Sequence, residues 1–155
     1  MTDQTSVFDP DTFLHEEVEE KMEVSFTPVP EGDYPAYIET VTADIANTKN
    51  GPRPILNFSY VITDEEMAKE MELERPTVRQ TVWLDIDESG QLSFGKNKNV
   101  RLGRIREAVG QNKAGEPWSP GMLVNAGPVM IKVGHRYNSE TGEGPYPEML
   151  RVVEG

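Results

Sequence analysis

Arg79 and Trp83 stand four residues apart in the stretch TVRQTVWLDID, and Lys96, Lys98, Arg101 and Arg104 follow soon after. An exposed aromatic ring beside a run of cations can do one kind of chemistry well. The ring offers a plane on which a flat heterocycle can stack, and the cations offer partners for phosphates. Over 77–86 the residues alternate: Val78, Val82, Leu84 and Ile86 fall on one side, and Thr77, Arg79, Thr81, Trp83 and Asp85 on the other. That is the pattern of a strand with one buried and one wet face, and it puts Arg79 and Trp83 together on the wet face. The competing reading is ordinary packing, since a tryptophan on a strand often serves as a half-buried cover.

Further cations widen the set. Arg53 lies in the turn NTKNGPRP, and Lys132 and Arg136 lie near a strand at 129–133. Tyr137 and Trp118 are second-rank stacking candidates, and Trp118, between two prolines, serves equally well as a loop anchor. Lys96, Lys98 and Arg101 gather where a helix over 100–109 should begin. Cations there oppose the positive end of the helix dipole. A bound phosphate would relieve this and use the free N–H groups; alternatively the lysines simply point into water.

The elements that must hold these residues read in order. An acidic arm over 1–23 carries a short helix begun by Asp11 or Thr12 and reaching Lys21, with Phe13, Leu14 and Val18 as a thin apolar stripe. It is either a solvated arm or an acidic docking segment. A strand follows over 33–46 with apolar residues on both faces, as in a bent strand shared between two halves of a sheet. Asn50-Gly51 marks a hairpin. The strand over 55–63 points Leu56, Phe58, Tyr60 and Ile62 inward. An acidic helix over 64–74, capped by Asp64 and carrying Met67 and Met71 at i, i+4, interrupts the connection to the Trp83 strand. Asn99 caps the next helix, whose stripe is Leu102, Ile105 and Val109, and Gly110 stops it. Strands over 129–133 and 148–153 complete the chain. Strand, strand, strand, helix, strand, strand is the element order of the five-stranded OB barrel. The expected fold is therefore mainly β: an OB-like antiparallel barrel with a helix between strands three and four, an acidic N-terminal arm over 1–25 and a domain over 26–155.

The 155 residues are enough for one domain with a real core, and the formal net charge is -12. Its distribution matters more than its sum. Residues 1–95 hold 6 basic against 21 acidic side chains, 96–136 hold 8 against 2, and 137–155 hold 1 against 4. A cationic segment on an acidic chain attracts a polyanion locally and repels it elsewhere. The chain has no cysteine, which removes disulfides, thiolate metal sites and a cysteine nucleophile, and fits a reducing cytosol. No apolar run approaches a membrane span, and the first residues lack a signal peptide's pattern.

The stretches FTPVPEGDYPAYIE, RPTVRQTVWLDID, GKNKNVRLGRIREAVGQN, PWSPGML and VMIKVGHR together run over 26–153. In them the chain resembles the small phage-encoded single-stranded DNA-binding proteins of OB type found in replication and recombination modules. The resemblance implies a barrel that coats single strands without catalysis or cofactor in the host cytoplasm, with single-stranded DNA as partner. Replication or recombination proteins and further copies of the chain are additional candidate partners, and no membrane is implied. Many proteins of this function end in an acidic docking tail. This chain ends LRVVEG, so recruitment through a tail is expected only if the N-terminal arm substitutes.

Other motifs fail on inspection. GQLSFGKN over 90–97 has the phosphate-loop pattern except that Asn97 replaces the magnesium-binding Ser or Thr, and no βαβ pattern surrounds it. DIDESG over 85–90 starts like a calcium loop, but its twelfth position is Lys96. His15 and His135 are too few for a zinc site or a triad. The set expected to bind single strands is thus Arg53, Arg79, Trp83, Lys96, Lys98, Arg101, Arg104, Lys132, Arg136 and Tyr137. The rival readings are an adaptor that binds another protein through its acidic arm, and a nucleotide-binding enzyme.

Overall fold

The structure is a computed structural model, and it describes residues 7–24 and 27–155. Residues 1–6 of the arm and Phe26, where the sequence places the entry to the domain, lie outside the described residues. Among the described residues nine elements follow in order: α1 (Pro10–Phe13), β1 (Gly32–Thr48), β2 (Gly51–Ile62), α2 (Glu65–Glu70), β3 (Thr77–Trp83), α3 (Val100–Ala108), a 3-10 turn (Pro120–Leu123), β4 (Val129–Arg136) and β5 (Tyr146–Glu154). The five strands form one antiparallel sheet in the order β3-β2-β1-β4-β5. Its two edges, β3 and β5, are not hydrogen-bonded to each other.

β1 organises this sheet. Its first residues pair with β4 and the remainder with β2. Glu39 sits in a register shift between Ile38 and Thr40. One extra residue reverses the alternation, which explains why apolar residues occur on both apparent faces. Tyr34, Ala36 and Ile38 point into the core before the bulge, and Val41 packs on the same core after it. Beyond, the hairpin outruns the core, and Ile45 is exposed. Lys49 and Asn50 make its turn, and Gly51 at φ +108° carries the positive φ that follows it.

The core takes Leu56, Phe58, Tyr60 and Ile62 from β2 and Val78 and Val82 from β3, as the alternation predicts. Tyr60 is fully buried, its hydroxyl donates to Gln80 Oε1 at 2.8 Å, and burial pushes the phenol well above its ordinary range. Leu102, Ile105 and Ala108 turn one face of α3 onto the core, while Val109 packs at its margin.

Several boundaries differ from the sequence reading: β1 and β2 extend into the stretch read as a turn, to Thr48 and from Gly51, and β4 and β5 are longer than expected, to Arg136 and from Tyr146. α1 is a single turn capped by Asp9, which accepts from the N–H groups of Asp11 and Thr12, and no helix reaches Lys21. The described arm residues are all exposed, so α1 lacks the packing that extends short helices. α2 ends at Glu70, with Asp64 capping it through Met67 N–H at 3.0 Å. β3 stops at Trp83; beyond it Ile86 is exposed and makes one bridge, to Leu92. Asn99 occupies the cap position of α3 but caps nothing, because its side chain is bonded to another segment. Among the described residues no helix is long and apolar enough to cross a membrane.

Candidate functional site

The outer face of β1, β2 and β3 is a ladder of polar side chains. The register aligns Thr40, Ser59 and Arg79 in one row, Thr42, Asn57 and Thr81 in the next, and Asp44, Ile55 and Trp83 in a third. Two contacts tie the rows laterally: the hydroxyls of Thr40 and Ser59 are 2.5 Å apart, and Thr81 Oγ1 donates to Asn57 Oδ1 at 2.8 Å. Trp83 stands directly opposite Ile55, which is buried despite its outward register. Directly opposed residues are the closest neighbours on a sheet face, so Trp83 shelters Ile55 and still keeps 40% of its surface exposed.

Arg53 holds its guanidinium 5.0 Å from the centroid of the Trp83 ring. It comes from β2, two residues from the position opposite Trp83, so the hairpin that the sequence reads as a turn supplies a partner for the ring. Such a pair keeps the ring upright and adds positive charge beside it.

From this face a cleft of about 900 Å³ opens between the edges of β3 and β5. Thr77, Arg79, Thr81 and Trp83 form one wall, Tyr146, Pro147, Glu148 and Met149 the other, and Arg101 of α3 and Arg136 of β4 reach in. The cleft continues, through Ser59, Arg79 and Thr81 that line both, into a smaller depression of about 440 Å³ over Thr40, Thr42 and Asn57. Two carboxylates also line the cleft, Glu39 and Glu148, and Glu39 is paired with Arg75. Arg75 also donates to the Tyr37 hydroxyl at 3.2 Å. The charge facing the cleft therefore leans positive.

The structure brings together four of the ten expected residues, Arg79, Trp83, Arg101 and Arg136, and adds Arg53 through its contact with the ring. The other five stand elsewhere. Lys96 is exposed on the loop before α3, and Lys98 lines a separate depression with Phe94, Val100 and Arg106. Arg104 turns toward Arg151 and Val153 of β5, because burial of Leu102 and Ile105 sets the rotation of α3. Lys132 faces out between Asp33 and Arg151 in the ladder, four residues from Arg136. Tyr137 is exposed beside Gly144, outside the cleft lining.

Trp118 is a loop anchor. Its Nε1 donates to Gln111 Oε1 at 2.8 Å, and Arg106 lies 4.0 Å over its ring.

Sequence reading missed the β5 wall. Tyr146 stands between two prolines in GPYP, a composition that reads as loop, yet it opens β5 opposite Arg136. Its hydroxyl donates to Glu143 Oε2 at 3.0 Å, and that bond raises its pKa. Its one available signal was the aromatic itself.

The discarded motifs resolve as turns. Asp87 Oδ1 accepts from the N–H groups of Ser89 and Gln91 and from the Ser89 hydroxyl, which lowers its pKa. Gly90 closes this turn rather than a phosphate cradle. Among the described residues no cluster of three or more histidines and carboxylates could hold a metal.

No family model matches the chain, and neither a curated protein nor a solved structure does.

Proposed function

We propose that this chain is a single-stranded DNA-binding protein with little sequence preference, built on an OB-type barrel. The observation that carries the reading is the convergence of Arg79, Trp83, Arg101 and Arg136, with Arg53 on the Trp83 ring, at one cleft on the outer face of the sheet. Support for the barrel comes from β1 pairing with both β2 and β4, from α3 lying between β3 and β4 in the chain, and from β3 and β5 facing each other across the cleft.

In this reading the strand runs along the cleft with a base against Trp83 and another against Tyr146. The arginines neutralise phosphates, and Thr40, Ser59 and Thr81 offer hydroxyls to the backbone. Planes and point charges accept any base, so such contacts carry affinity without a sequence code. The role is to coat and protect single strands in phage replication and recombination, without a chemical step. That setting rests on the resemblance in the sequence.

The test is a titration with oligo-dT and with duplex DNA at two salt concentrations, followed by tryptophan fluorescence. Trp118 is covered by Arg106 and Gln111, so quenching reports chiefly on Trp83. The expected result is quenching by the single strand, weaker binding of duplex, and affinity that falls with salt. Absence of quenching, or a flat salt response, would refute the reading.

One observation favours an adaptor as the second reading. Phe8, Phe13, Leu14, Val18 and Met22 are all more than half exposed on an acidic arm, as a protein-docking segment would require. That reading predicts a partner bound independently of salt and no quenching by oligo-dT.

A further inference from the structure

The loop between β3 and α3 packs Leu84 and Leu92 against the core, and its tip over 93–99 has a built conformation of its own. Both of its ends are tied to Asp85, two residues past Trp83. Ser93 N–H donates to Asp85 O at 2.9 Å, Asn99 N–H donates to Asp85 Oδ2 at 2.9 Å, and Asn99 Oδ1 accepts from Asp85 N–H at 2.8 Å. Asn99 Nδ2 also donates to the carbonyls of Asp85 and Ser93, each at 2.9 Å. Between these ties the backbone turns through Gly95 at φ +122°, Asn97 at +63° and Asn99 at +51°. Asparagine tolerates the left-handed region better than most residues, but three positive φ angles in five positions define a shape that a floppy connection would not need.

What the shape displays is Phe94, 81% exposed, with Lys96 and Lys98 exposed beyond it. Phe94 and Lys98 line a depression of about 220 Å³ with Val100 and Gly103 at the start of α3. Arg101, one residue past Val100, lines the main cleft. Phe94 adds nothing to the core, and its ring offers a flat apolar face that a planar ligand can cover. With Lys96 and Lys98 exposed beside it, the chemistry that fits the loop is a planar group carried on an anionic chain.

We propose that this loop is a second contact site for the same single strand. Phe94 stacks a base, Lys96 and Lys98 take the phosphates on either side, and Arg101 links the loop to the cleft. This rests on the reading of the cleft as a single-strand site. It explains why the lysines stand away from the cleft: they serve the next segment of the strand.

The experiment compares the wild-type chain with Phe94→Ala, Phe94→Leu, Phe94→Trp and Trp83→Ala, using a 16-nucleotide oligo-dT, of about the length an OB fold can occupy, together with melting temperatures. Loss of one stacked base corresponds to a roughly 5- to 150-fold weaker affinity. Phe94→Ala and Phe94→Leu should both show such a loss with an unchanged melting temperature, because the leucine keeps the apolar character and lacks the ring. Phe94→Trp should retain wild-type affinity. If Phe94→Ala binds like the wild type while Trp83→Ala is weakened, the loop proposal is overturned and the cleft stands. If the wild type does not bind the oligonucleotide, both fall. A melting temperature lowered by several degrees in Phe94→Ala would make Phe94 a packing residue and overturn the proposal.

Discussion

Replacing Trp83 by alanine removes two things at once, a cover over Ile55 and a plane in the cleft, and the two have separable magnitudes. Complete burial of a large apolar side chain is worth about 1.5–3 kcal/mol. Trp83 keeps 40% of its surface exposed, so its share is about 1–2 kcal/mol, with about 0.5–1 kcal/mol more from the Arg53 contact. A loss of about 2 kcal/mol lowers the melting temperature of a domain this size by about 4–8 °C. The loss in binding is independent of that sum, about 1–3 kcal/mol for one stacked base. Val82→Ala is the matched control. Val82 is fully buried on the opposite face of the same strand, and losing its two methyls with some residual cavity costs about 2 kcal/mol. The two variants should therefore melt at similar temperatures, measured by circular dichroism. In anisotropy titrations with labelled oligo-dT well below those temperatures, only Trp83→Ala should bind roughly 5- to 150-fold more weakly. Equal affinities for Trp83→Ala and the wild type, or equal weakening by Val82→Ala, would refute the assignment of Trp83 to the cleft.

The salt response should follow from the cations: Arg53, Arg79, Arg101 and Arg136 of the cleft give a slope of log K against log salt of about -3, at ~0.7 per phosphate, Lys96 and Lys98 of the loop bring it to about -4 on a strand long enough to reach them, and Arg79→Ala should make it shallower by about 0.7. Deleting residues 1–23 should tighten binding at low salt, because 8 acidic residues against Lys21 compete with DNA for the cationic surface, and the gain should vanish as salt screens it; the melting temperature should not change, since every described residue of that arm is exposed. Asn99→Ala should lower stability by about 1–3 kcal/mol through the three bonds of its side chain, whereas Asn97→Ala, also at positive φ, should cost measurably less, as paired thermal melts would show.

The strands were legible because period-two alternation reports burial directly. Leu56, Phe58, Tyr60 and Ile62 alternate in the sequence and fill the core in the structure. The bulge at Glu39 was legible only in its consequence, apolar residues on both apparent faces of β1, since alternation cannot say where its own phase reverses. Asn99 shows a different limit. Asparagine before a helical stripe signals a cap, but the same side chain can bond the backbone of any segment brought near it. Asp85 and Ser93 outcompete the helix for it here, with two bonds to Asp85 and one to Ser93, and that choice is made by tertiary placement of the β3 terminus.

The cleft was half legible for a related reason. One wall is local, and alternation alone put Arg79 and Trp83 on it. The other wall, Tyr146 to Met149, lies far along the chain and reaches β3 only because the sheet runs β3-β2-β1-β4-β5 and curls its edges toward each other. The same topology decides which cations count. Arg101 and Arg104 look equivalent in sequence, one turn apart on α3, yet the buried stripe of Leu102, Ile105 and Ala108 fixes the helix rotation so that Arg101 meets the cleft and Arg104 meets β5. Charge density along a sequence therefore locates a cationic region, and the rotation of one helix about its buried face selects which of those charges can act together.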